Sequence, residues 1–152
     1  MFIVAPGDLS DPRVIEMLQQ HATRARAESA PGSAHALDPE DLRAPDIRFF
    51  AGWDRDELLG VGALRLLPAR HAEIKSMYTT AAARGRGIGS AILARLLAEA
   101  RAAGMLRVSL ETGSWDYFEP ARRFYRRHGF RDCPAFGAYR ADPNSVFMTL
   151  SL

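Results

Sequence analysis

Residues 72–104 read AEIKSMYTTAAARGRGIGSAILARLLAEARAAG, and this stretch decides the fold. Ala72–Tyr78 reads as a strand. From Gly87 to Ala103 the apolar residues Ile88, Ile92, Leu93, Leu96, Leu97 and Ala100 recur at helical spacing, and Gly104 stands where a helix is closed by a left-handed residue. Between strand and helix lies Arg84-Gly85-Arg86-Gly87-Ile88-Gly89-Ser90. Alternating glycines let the backbone curl so that several N–H groups point the same way, and the following helix adds its unpaired amides and the positive end of its dipole. Strand, glycine loop and helix in this order form a cradle for phosphate. Two other glycine motifs fail. A dinucleotide fingerprint running through Gly85 and Gly87 needs a third glycine where Ser90 stands, and no Gly-Lys-Ser/Thr triplet of a P-loop occurs.

Outward from this stretch, Ile47–Trp53 and Leu58–Leu67 read as an antiparallel hairpin about the polar turn 54–57. Phe2–Val4 reads as a short first strand. Asp11-Pro12 has the pattern of an N-cap with proline at the first helical position, and a helix follows to about Glu28. Residues 30–46 are rich in Pro, Gly, Asp and Ala and read as a long loop with one helical turn at 39–42. Toward the C-terminus come a strand over 106–111, a helix over 119–128 ended by Gly129, and strands over 130–133 and 145–152. The order predicts a mixed α/β layer architecture. The length of 152 residues implies a single domain, 1–152.

Composition sets the outer limits. Hydrophobic residues make up 47% and charged residues 25%, ordinary for a globular chain. No apolar run is long enough to span a bilayer, and the acidic opening MFIVAPGDLSD does not read as a secretory leader. Cys133 is the sole cysteine, so no internal disulfide can form and a cytoplasmic location is expected. Residues 1–80 carry net charge −3 and residues 81–152 carry +5, and of the 20 basic residues only Lys75 is lysine. The basic half suits an anionic partner, whereas the acidic half favours a cationic amine. No aromatic-interleaved basic run points to nucleic acid. The four histidines, His21, His35, His71 and His128, are scattered without metal-ligand spacing, so no metal is expected. No Gly-x-Ser-x-Gly elbow of a serine hydrolase is present.

Arg84-x-x-Gly87-x-Gly89 resembles the pyrophosphate loop of the GNAT superfamily of acetyl-CoA-dependent N-acetyltransferases. Ala121-Arg122-Arg123-Phe124-Tyr125-Arg126-Arg127-His128-Gly129-Phe130 resembles a second segment of that family, and the strand LRVSLET lies between the two. Order and spacing agree over residues 73–130. The segment Tyr139–Met148 is also similar to small bacterial members. The resemblance implies a GNAT-like fold: a central, mostly antiparallel mixed sheet with splayed middle strands and helices on both faces. It implies acetyl-CoA as co-substrate, with the backbone of Met77, Tyr78 and Thr79 pairing with the pantetheine arm. The amides of Arg84, Gly85, Arg86, Gly87, Ile88, Gly89 and Ser90 would then hold the pyrophosphate. It makes Tyr125 the acid that protonates the departing thiolate, and Glu73, eleven residues before Arg84, a candidate general base.

A protonated amine is no nucleophile, so a carboxylate must take its proton. Glu111, at the end of the middle strand, is the rival for that role. The acceptor is expected to be a small-molecule or peptide amine, with His35 and Asp38 of the long loop, Thr112 and Trp115 at its site. Members are often dimers, so a homodimer is among the implied assemblies. Phe118 stands where many members carry Asn, so any polar contact to the cofactor from that position is lost or replaced. This departure keeps open a second reading, a carrier-binding module without transferase activity.

Overall fold

The computed structural model describes residues 1–152. Its strands are β1 (Ile3–Pro6), β2 (Ile47–Asp54), β3 (Glu57–Leu67), β4 (His71–Thr79), β5 (Arg107–Gly113), β6 (Arg131–Cys133) and β7 (Ser145–Ser151). Its helices are α1 (Pro12–Ala27), α2 (Ile88–Ala102) and α3 (Glu119–Arg127). The strands form one seven-stranded sheet in the order β1-β2-β3-β4-β5-β7-β6. Every neighbouring pair is antiparallel except β4 with β5, which run parallel.

The helices end where their local chemistry stops them. The Asp11 side chain accepts the Arg13 amide and Pro12 opens α1, as the sequence predicts. Gly104 (φ 78°) closes α2 in a Schellman motif, with Met105 N–H donating to Ala100 O and Gly104 N–H to Arg101 O. Gly129 (φ 91°) closes α3 in the same way, with Phe130 N–H donating to Tyr125 O. The helical turn expected at 39–42 is shorter and begins two residues later, at Asp41–Arg43.

Two cores sandwich the sheet. α2 buries Ile88, Ile92, Leu93, Leu96 and Ala100 on one face, together with Leu59, Leu64, Ile74, Leu110 and, from α3, Tyr125. α1 buries Val14, Met17 and Leu18 on the other, against Phe49, Val61 and Ala63. Alternation along each strand divides the side chains between these faces.

That alternation is interrupted once in β4. Lys75 pairs with Ala63 and Tyr78 with Val61, so Ser76 and Met77 together oppose Gly62. Ser76 takes a left-handed backbone (φ 54°), and the bulge reverses the parity of the strand beyond it. Met77 therefore packs on the α2 face and Tyr78 on the α1 face. A side chain at position 62 has no room, because its Cβ would lie 2.7 Å from an Ile92 methyl.

The pairing of β4 with β5 covers only His71–Ile74 against Arg107–Leu110. Beyond it β5 stays paired with β7 as far as Gly113, and β4 stays paired with β3 as far as Thr79. The sheet therefore opens into a V whose inner β4 edge, from Lys75 to Thr79, has no strand beside it. The splayed middle strands expected from the resemblance are present.

Leu96 is fully buried in the core beneath the sheet. Leu96→Ala is expected to destabilise the chain by about 2–5 kcal/mol, measured as a lower urea midpoint with an unchanged slope.

Candidate active site at the strand split

A cavity of about 810 Å³ runs through the V. Its floor is the open edge of β4, including Met77, Tyr78 and Thr79, and one end is the glycine loop. Thr80 caps a short turn over Ala81–Ala83 by accepting the Ala83 amide, which delivers the chain to Arg84. Gly85 (φ 79°) and Gly87 (φ 89°) are both left-handed, a conformation glycine adopts without the Cβ penalty. Alternation of this kind turns successive amides to one side. The amides of Gly85, Gly87, Ile88, Gly89 and Ser90 find no acceptor within the protein. Arg84 and Arg86 depart from expectation: their amides donate to Ala81 O and Ala83 O, committed to the turn that shapes the loop. The Arg86 side chain turns away to Asp54 at 2.8 Å and lies outside the cavity. The Ser90 hydroxyl lies 3.0 Å from His128 Nε2.

α3 closes the opposite side. Tyr125 is only 6% exposed, and its hydroxyl has no hydrogen-bond partner in the protein. Burial raises the phenol's pKa well above its ordinary value and so keeps it protonated. Phe124 packs against Gly89. Phe118, the departure noted in the sequence, lies directly over Gly113, where an added Cβ would meet its ring. An apolar wall stands there in place of an amide. The Arg122 guanidinium donates to Gly113 O at 2.7 Å and Trp115 O at 3.0 Å and fastens the turn after β5. Arg84 and Arg127 line the cavity without an acidic partner.

The carboxylates separate. Glu111 and Thr112 line the cavity. Leu110 belongs to the α2 core, so the alternation of β5 sends Glu111 to the opposite face from Tyr125. Burial pushes the Glu111 carboxyl up to about 7, partly offset by the positive charge of Lys75. Glu73 does not line this cavity. It faces an adjoining chamber with Lys75 and Tyr139, where it accepts the Tyr139 hydroxyl and lies 3.5 Å from Lys75 Nζ. Lys75 Nζ also donates to Tyr139 Oη at 2.8 Å and His35 O at 3.0 Å, and burial lowers its pKa. His35, Ala36 and Lys75 line both spaces, so the two adjoin.

Two residues expected at the acceptor site lie elsewhere. Asp38 pairs with Arg26 at 2.8 Å on the surface. Trp115 is 43% exposed and donates from Nε1 to Asn144. Neither lines either of these two cavities, because the long loop places His35, not Asp38, over the sheet. Cys133 sits on β6, also outside both. Sequence reasoning missed Tyr139, Phe118 as a wall, and His21, which lies against Tyr78 and is held by burial at about 4. A lone lysine among 19 arginines was the one available hint toward the Lys75 cluster.

The model of the acetyltransferase (GNAT) family matches residues 15–130. The chain belongs to the GNAT acetyltransferase family. It is 46% identical over 145 residues to an uncharacterized N-acetyltransferase, YsnE, of Bacillus subtilis (strain 168), covering 95% of this chain and 96% of that one. A solved structure from Klebsiella pneumoniae, of a protein regarded as an acyl-CoA N-acyltransferase, superimposes with a TM-score of 0.79 at 29% identity. It covers 100% of this chain and 98% of its own. A Bacillus subtilis acetyltransferase in complex with CoA shares the fold, with a TM-score of 0.73 at 17% identity over 100% and 99% of the two chains. Membership in this GNAT family makes the chain an N-acetyltransferase.

The unbonded loop amides, the left-handed glycines and the open β4 edge fit CoA: an anionic diphosphate for the amides and an amide-bearing arm for the strand edge. Gly87→Ala adds a Cβ into open space, so its whole effect is conformational. It is expected to weaken acetyl-CoA binding about tenfold or more by isothermal titration, since holding an alanine in the left-handed region costs about 1–2 kcal/mol.

Proposed function

We propose that this GNAT enzyme acetylates a primary amine of a small molecule or peptide by direct attack, with Glu111 as general base and Tyr125 as general acid. The observation that carries this reading is that both residues line the cavity holding the unbonded loop amides, and reach it from opposite faces of the sheet. Acetyl-CoA bound there supplies an activated acyl carbon and a thiol leaving group. The amides of Gly85 and Gly87–Ser90 bind the diphosphate, and the β4 edge at Met77–Thr79 orients the arm. A backbone N–H of that edge is available to an oxygen that gains negative charge. Tyr117, Phe118 and Phe124 exclude water from the far wall.

Proton traffic is governed by burial. Glu111 is half ionised near pH 7, which suits a base that must take a proton and then release it. The Tyr125 Oη holds its proton at any working pH and delivers it to sulfur. Glu73 suits the base role less well, because the Tyr139 hydroxyl, Lys75 and Arg65 already occupy its surroundings. The roles of Met77, Tyr78, Thr79 and the loop as cofactor contacts, and of His35 and Thr112 as acceptor contacts, belong to this same proposal.

The test is turnover by thiol release across an amine panel, as a function of pH. With Glu111 as base, kcat/KM falls as pH drops through about 7, because the carboxyl becomes protonated. Glu111→Gln should lower kcat about 10²-fold or more and remove that limb, with acetyl-CoA affinity unchanged. An intact limb in Glu111→Gln would assign the base to another group. Tyr125→Phe should lower kcat with little change in acetyl-CoA affinity; a parallel loss of affinity would mark Tyr125 as a binding residue. Folding stability has its own sign: the folded carboxyl holds its proton more tightly than the unfolded one at 4.5. Its contribution is therefore present below about pH 4.5 and lost as pH rises through about 7, a slope that Glu111→Gln should flatten in thermal melts.

A further inference from the structure

The chamber that adjoins the V, about 830 Å³ in volume, contains an arginine whose hydrogen-bonding capacity the protein does not use. Arg65 projects from β3 on the α1 face of the sheet. A guanidinium carries five N–H donors in a planar fork. Those of Arg65 meet nothing within hydrogen-bond distance: Asp46 lies at 3.8 Å and Glu73 at 3.9 Å. Its Nε is shut off from solvent and has no partner. A buried donor left unsatisfied is costly and rare. Glu73 does not relieve it: its Oε2 is held by the Tyr139 hydroxyl and Lys75, and its Oε1 lies 3.9 Å from Arg65 Nη1, beyond hydrogen-bond distance. At the rim, exposed Arg140 has no acidic partner.

The lining charges sharpen this. Arg65, Lys75 and Arg140 are cationic, and Glu73 and Asp142 are anionic. Burial holds the His35 pKa below its ordinary value, which keeps that ring neutral at pH 7. The lining residues leave one positive charge over, and Asp46, outside the lining and 3.8 Å from Arg65 Nε, offsets it through space. Asp142 is satisfied locally by the Ser33 hydroxyl and the Asn144 amide. A planar carboxylate matches the fork, whereas a phosphate dianion would bring a second negative charge against Glu73 and Asp142. Leu37, Leu67 and Phe136 supply an apolar wall. The chamber adjoins the catalytic cavity at His35, Ala36 and Lys75.

We infer that the acceptor carries a carboxylate besides its amine, bound by Arg65 with Arg140 at the rim, and an apolar body against Phe136: the chemistry of an apolar amino acid. This rests on the acetyl-transfer reading for the direction in which the amine points, but the anion subsite can be measured without turnover. The experiment titrates the CoA-saturated protein with N-acetyl-leucine and N-acetyl-phenylalanine, each against its primary amide, by calorimetry. Each acid is expected to bind at least about tenfold more tightly than its amide. Arg65→Ala should weaken the acids by about 10- to 100-fold and leave the amides unchanged, the range for charge-assisted hydrogen bonds. Arg65→Lys should recover only part, lacking the fork. Unchanged CoA affinity reports that the Arg65 variants are folded. Arg140→Ala, an exposed and unpaired position, should weaken the acids about two- to fivefold, in the range of an exposed ion pair.

Equal affinity for acid and amide, equal losses for both in Arg65→Ala, or no binding of either acid at millimolar concentration would each overturn the inference. Turnover separates the two readings. If leucine and phenylalanine react no better than isoamylamine and phenethylamine, which lack the carboxylate, the inference falls and acetyl transfer stands. If the acids bind selectively but no amine is acetylated, the anion subsite stands and the transfer reading falls.

Discussion

The structure turns on where β4 and β5 stop sharing hydrogen bonds. Four residues of β4 pair with β5, and beyond Ile74 and Leu110 each strand keeps only its outer neighbour. Backbone N–H and C=O groups inside a protein are nearly always paired, so a strand edge left open within a sheet implies a partner that is not part of the chain. The rest of the fold keeps that edge open. β3 and β7 hold the two halves from outside. α2 lies under the first half and α3 beside the second, and the Schellman closure of α3 ties Tyr125 to Phe130 at a fixed distance from the cleft.

The bulge at Ser76 is the second device. Without the extra residue, strict alternation would carry Met77 to the same face as Glu73 and Lys75. With it, Met77 joins the α2 core and Tyr78 turns to the α1 side, against His21. The cost is a left-handed serine and a buried hydroxyl without a partner, Ser76 Oγ. Such strain persists only where surrounding packing enforces it, and here Gly62 and Ile92 do so.

Electrostatics divides the site into two compartments of different character. In the cavity of the V, Glu111 is raised chiefly by loss of water, while Arg84 and Arg127 remain unpaired at its edge. In the adjoining chamber, opposite charges are pressed together: Glu73 with Lys75 and the Tyr139 phenol, whose proton is held firmly by burial and by the Glu73 charge. Lys75 lines both, and its ammonium acts on carboxylates in each. The single lysine of the chain therefore couples the two compartments.

Most of the architecture was legible in the residues. The α1 cap at Asp11-Pro12, the closing glycines 104 and 129 and the hairpin about 54–57 all arise from local rules of backbone conformation and hydrophobic period, which act over a few residues. The phosphate-type loop was legible for the same reason, since glycine spacing is a local property. The chain order could not convey which carboxylate enters the cleft. Glu73 and Glu111 both sit on strands at the right distance from the loop. Their separation depends on where the parallel pairing of β4 with β5 ends, and on Tyr139 and Arg65 arriving from distant parts of the chain. Asp38 and Trp115 fell outside the site for a related reason: loop residues take their positions from the surfaces they pack on, not from their neighbours in sequence. Local conformation was written in the sequence by itself. The assignment of charge to compartments was decided only by the tertiary fold, because burial and Coulomb energy depend on distances through space.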